Sequence, residues 1–64
     1  MTLEKIKSLP CSTKEELLYK LMLLVSNDEH DNEVAHVIAD KALLDYIGNS
    51  EVTRMFNKIG KWYA

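Results

Sequence analysis

Val34-Ala35-His36-Val37-Ile38-Ala39-Asp40-Lys41-Ala42-Leu43-Leu44-Asp45-Tyr46-Ile47-Gly48 is the stretch on which the fold turns. Its apolar residues follow no period of two, so they do not describe a strand with one wet face. They recur at three and four residues and extend well past the usual length of a strand. The spacing predicts a helix over about residues 31–47. The polar, acidic run Asn27 to Asn32 leads into it, and acids at that end interact favourably with the helix dipole. Gly48 is the expected stop, because glycine takes left-handed backbone without a Cβ penalty. A helix that is apolar nearly all round is usually buried on more than one side. This one therefore reads as the central element, covered on one side by its own chain and open on the other to a second copy. Ala35, Ala39 and Ala42 let neighbouring backbones come close.

Working back toward the N-terminus, Leu17, Leu18, Leu21, Met22, Leu24 and Val25 recur at helical spacing and predict a helix over about residues 13–26. Ser12 with Glu15, or Thr13 with Glu16, has the spacing of a capping box. The stripe Leu17, Leu18, Leu21, Met22 and Val25 reads as core. Before it, Pro10 disfavours helix in the residue preceding it. The first nine residues hold one or two helical turns, with Thr2 as cap and Leu3 and Ile6 on one side.

Toward the C-terminus, Asn49 or Ser50 caps a helix over about residues 50–60. Val52, Met55, Phe56, Ile59 and then Trp62 or Tyr63 form its apolar stripe. The expected fold is all-α: a compact three-helix unit with a short N-terminal helical turn, the helices neighbours because their loops are short. At 64 residues the chain is one domain. A domain of that size buries only about 60% of its unfolded surface. Cys11 is the single cysteine, so no disulfide forms within the chain. A partner, a second copy or a metal would supply what the small core lacks.

Composition narrows the function. The chain is 47% hydrophobic and 28% charged, which fits a folded protein rather than a disordered one. Its net charge of −2 argues against a general nucleic-acid binder. No apolar run approaches the ~20 residues that span a bilayer. With no secretory signal and one free cysteine, the expectation is a cytoplasmic protein. The charge is uneven. Residues 28–51 hold seven acids and Lys41, whereas residues 52–64 hold Arg54, Lys58 and Lys61 and no acid.

Three constellations are candidates for function. Glu33, His36 and Asp40 share a helical face, and Glu-x-x-His is the spacing used in di-metal carboxylate bundles. One helix offers too few donors for a closed site, so a metal or small ligand there would need a second chain. Packing of His36 beside a carboxylate is the reading that the pattern favours, because one short motif often occurs without a metal. An acid–base role for His36 and Asp40 would also need a pocket, which three short helices rarely enclose, and this points away from an enzyme. Arg54, Lys58 and Lys61 form a cationic face suited to phosphates or to an acidic protein surface. A helix-turn-helix reading is weakened by Arg54, which stands where that motif wants an apolar residue. Trp62 and Tyr63 either dock on the core or anchor a partner. Cys11 reads as a bystander beside Pro10, and the sequence calls for no cofactor.

Ala35-His36, Ala39-Asp40, Leu43-Leu44, Tyr46-Ile47, Val52-Thr53, Phe56, Ile59 and the ending Lys61-Trp62-Tyr63-Ala64 together resemble short uncharacterised proteins of bacteria and their phages. The resemblance covers about residues 34–64 and carries no site residue. It implies a context in which small proteins bind and inhibit or redirect a host protein. The expected function is stoichiometric binding of another protein by a homodimer, through Arg54, Lys58, Lys61, Trp62 and Tyr63. The alternatives are a dimer holding a ligand at Glu33, His36 and Asp40, and a nucleic-acid regulator that uses the last helix.

Overall fold

Every helix begins at a side chain able to accept from its otherwise unpaired first amides. A computed structural model of the chain describes residues 1–59 and contains α1 (Leu3–Lys7), α2 (Lys14–Val25), α3 (Asn32–Ile47) and α4 (Ser50–Asn57). Thr2 caps α1, Thr13 caps α2, Asp31 caps α3 and Asn49 caps α4. The capping box at α2 is the Thr13 and Glu16 pair. Thr13 Oγ1 accepts from the Glu16 amide at 3.1 Å, and Glu16 Oε1 accepts from the Ser12 and Thr13 amides at 3.0 and 3.1 Å. Asn49 Oδ1 accepts from both Glu51 and Val52.

The all-α architecture and its three main helices match the sequence reading, and the starts of α2, α3 and α4 fall within a residue of it. The far end of α4 does not. It stops at Asn57 rather than near 60, because the Lys58 and Ile59 amides turn to the carbonyls three residues back, on Met55 and Phe56. That tightening into a 3₁₀ turn closes the helix early.

Gly48 ends α3 as expected, at φ 67° and ψ 29°, with its amide on the Leu44 carbonyl at 3.0 Å. A Cβ built there would meet only the Asp45 carbonyl oxygen, at 3.8 Å, so the space is open and the constraint is the backbone itself. Gly48→Ala should therefore cost about 1 kcal/mol from left-handed strain. In a domain this small that lowers Tm by about 4–8 °C. An unchanged melt would mean that the chain leaves α3 by another path.

The core joins α1, α2 and α3. Leu3, Ile6, Leu24, Ala35 and Ile38 form one buried cluster, with Leu21, Leu23 and Ala39 packed against it. The short N-terminal turn is thus not an appendage, since among the described residues Ile6 is the one large side chain buried completely. α4 contributes no buried residue. It lies along α3, where Thr53, Phe56 and Asn57 face Val37, Asp40, Lys41 and Leu44 across a cleft of about 270 Å³.

The α2 stripe departs from expectation. Leu17 is buried and Leu21 half-buried, but Leu18, Met22 and Val25 are exposed. α1 and α3 both pack on the same sector of α2, which Leu17, Lys20 and Leu24 occupy. The Cα atoms span 33 × 30 × 14 Å. That is a slab about two helix layers deep at the 8–10 Å spacing of packed helices, and it leaves no third layer to cover the far side of α2. For the same reason α3 buries only Ala35, Ile38 and Ala42, while Val34, Val37, Leu43, Tyr46 and Ile47 remain exposed.

Candidate functional site

Two buried polar side chains hold the frame on which any site must rest. Lys20 lies on the inner face of α2 and is 5% exposed. Its Nζ donates to the Lys7 carbonyl at 3.1 Å and to the Leu9 carbonyl at 2.9 Å. A buried cation is tolerated there because it meets the carbonyl-rich end of α1, which carries partial negative charge. Asn27 does the same for the turn between α2 and α3. Its Nδ2 donates to the Leu24 carbonyl at 2.8 Å, and its Oδ1 accepts from the amides of Glu29 and His30 at 3.0 and 2.7 Å. His30 takes a positive φ of 53° within that turn. The α-amino group of Met1 reaches Asp28 Oδ2 at 2.8 Å. That hydrogen bond, and then the positive charge behind it, hold the Asp28 carboxyl below its ordinary range. Cys11 is half-buried and donates to the Ala42 carbonyl at 3.5 Å, tying the loop after Pro10 to α3.

The surface of α4 is the feature these supports present. Val52, Met55 and Ile59 follow one another at three and four residues and are all exposed. With Phe56 and Lys58 they line a shallow hollow of about 490 Å³. Arg54 and Lys58 are exposed beside this apolar line, Arg54 in the last turn and Lys58 as the C-cap. Two of the three cations read from the sequence, Arg54 and Lys58, thus sit next to exposed apolar surface. Lys61, Trp62 and Tyr63 lie outside the described residues.

Glu33 and His36 are exposed on α3, and Asp40 is half-buried. His36 lines a groove of about 410 Å³ between α2 and α3, with Leu24, Val25, Asn32, Ala35 and Ala39. Asp40 lines the cleft against α4 instead. The two side chains, one turn apart, thus border different clefts. Among the described residues, no three His, Cys, Asp or Glu side chains gather as a metal set, and no helix is long and apolar enough to cross a membrane.

Sequence reasoning missed Lys20 and Asn27. For Lys20 a signal was available: it falls on the same helical face as Leu17 and Leu24, four residues before Leu24 and three after Leu17. No comparable pattern marked Asn27, whose burial depends on how the turn folds back. Set against family models, curated proteins and solved structures, the chain finds no match.

Proposed function

We propose that this chain is a non-enzymatic protein-binding module that acts as a homodimer and engages an acidic partner protein through α4. One observation supports the reading above the others: α4 buries none of its residues, and its Val52 and Met55 run on into Ile59, in the turn that follows, as an exposed apolar line. Isolated helices shorter than ~12–15 residues are marginal in water. An eight-residue helix with its apolar line facing solvent gains most from a surface that covers it. Arg54 and Lys58 flank that line, so the fitting surface is apolar at its centre and acidic at its rim. Lys61, Trp62 and Tyr63 extend the contact in the sequence reading. An inhibitor or modulator of a host protein, encoded by a phage, is the concrete form that the resemblance of residues 34–64 implies.

The test is binding of a purified partner, first captured from a bacterial lysate and then titrated by calorimetry. Met55→Glu, and separately Arg54→Glu with Lys58→Glu, should each weaken a one-to-one complex at least tenfold, on the order of a central interface contact. The charge variant should also lose most of the salt dependence. Wild-type affinity in both variants, with helicity intact, would overturn the α4 reading.

A further inference from the structure

The groove between α2 and α3 lies within reach of the chain that follows α4. It holds about 410 Å³, with Ala35 and Ala39 as small side chains in its α3 wall and Val25, 88% exposed, on its α2 side. α4 runs back along α3. Only Gly48 and Asn49 separate the two helices, and Phe56 and Asn57 at the far end of α4 line the same cleft as Val37 and Asp40. The chain therefore leaves Ile59 level with the middle of α3, directed toward the half in which Asn32, Ala35 and His36 line the groove. His36 is four residues, about 6 Å along the axis, before Asp40. Trp62 follows Ile59 by three residues, a span of up to about 10 Å, and its side chain extends that reach. The indole can thus cross the face of Glu33, His36 and Asp40, which divides the α4 cleft from the groove.

Charge favours this course over the nearer one. Residues 21–40 hold Asp28, Glu29, Asp31, Glu33 and Asp40, with His30 and His36 and no Lys or Arg. Asp28 is engaged by the Met1 amine at 2.8 Å, and Lys41, the next residue on α3, pairs with Asp45 at 3.4 Å. Residues 57–64 hold Lys58 and Lys61 and no acid. Carried over the dividing face, Lys61 meets Glu33 and Asp40. Turned back onto the hollow of α4, it would lie beside Arg54 and Lys58, with Glu51 two turns away in the first turn of that helix.

We propose that residues 60–64 dock across α3 of their own chain, with Trp62 in the groove over Ala35 and Ala39 and Lys61 against Glu33 and Asp40. The face of Glu33, His36 and Asp40 then serves as the seat of the chain's own C-terminal segment. An indole suits the groove because it buries a large apolar area with few rotatable bonds. The inference goes beyond the α4 reading and leaves its core intact. Val52, Met55, Ile59, Arg54 and Lys58 still face a partner, while Trp62 is withdrawn from that contact in the free chain.

Trp62 is the single tryptophan of the chain, so its fluorescence reports the dock directly. In the full chain its emission should lie to the blue of that of a peptide of residues 60–64, and acrylamide should quench it less. Val25→Glu, at an exposed position, should move both readings toward those of the peptide, whereas Met55→Glu should leave both in place. Glu33→Lys should loosen the indole at low salt, and Lys61→Glu added to it should restore the wild-type emission. That exchange keeps the proposal testable even if Val25→Glu fails to fold. Peptide-like emission from the wild-type chain overturns the proposal. So does an indole released by Met55→Glu and not by Val25→Glu, which would place it on α4. Emission that moves to the red on dilution would mean that the groove holds the indole of a second copy, and overturns docking within one chain. Partner affinity measured with the α4 variants is independent of each of these outcomes.

Discussion

Ile6→Ala should lower Tm by about 10 °C or more, at 4–8 °C per kcal/mol, while Leu18→Ala should leave the melt within a degree or two of wild type. Ile6 is 0% exposed and lies in the cluster that joins α1 to α2 and α3. Truncating a buried Ile to Ala costs about 2–5 kcal/mol in lost transfer energy and residual cavity. A chain of 64 residues has a total stability of about 3–10 kcal/mol, so the loss takes a large part of it. Leu18 is in the longer and more periodic helix, and pattern alone would rank it the more costly site. Its exposure reverses that order. The comparison is a pair of urea or thermal titrations followed by circular dichroism, at a concentration where the chain is monomeric. Equal destabilisation by the two variants would mean that α1 does not close the core.

Lys20→Met should cost about 2 kcal/mol or somewhat more, second only to Ile6→Ala. Met keeps most of the length and packing of the side chain and removes its charge. What is lost is two charge-assisted hydrogen bonds, to the Lys7 and Leu9 carbonyls, each of which contributes about 1.5–3 kcal/mol. The hydrophobic gain of burying a thioether offsets part of that. Tm should fall by about 10 °C, at 4–8 °C per kcal/mol. The loss should also be local first: amide exchange at Ile6 and Leu9, which bond back to Thr2 and Ile6, should speed up more than exchange in α3. A melt equal to wild type would show that water or other donors satisfy those carbonyls without Lys20.

The candidate sites divide along similar lines. Arg54 and Lys58 were legible as one face of a short helix, because spacing alone sets which residues neighbour each other on a helix surface. Glu33, His36 and Asp40 were legible in the same way, yet His36 and Asp40 came to border separate clefts, since a helix face is divided by whatever packs along it. The surface on α2 was read as core. Leu18, Met22 and Val25 carry the same apolar signal as Leu17 and Leu24, and the signal does not say whether a covering layer exists.

What the sequence determined by itself is the helical content and its punctuation. Thr2, Thr13, Asp31 and Asn49 cap the helix starts and Gly48 stops α3, because caps and stops act within a few residues and depend on local chemistry. What only the tertiary structure decided is which apolar faces are covered. It placed Leu3 and Ile6 of α1 in the core, turned Lys20 inward to the Lys7 and Leu9 carbonyls, and left the outer faces of α2 and α4 open to water. The physical reason is supply: burial needs a partner surface. The described residues form a slab about two helix layers deep, which offers each helix cover on one side, whereas the sequence wrote apolar residues on more sides than that.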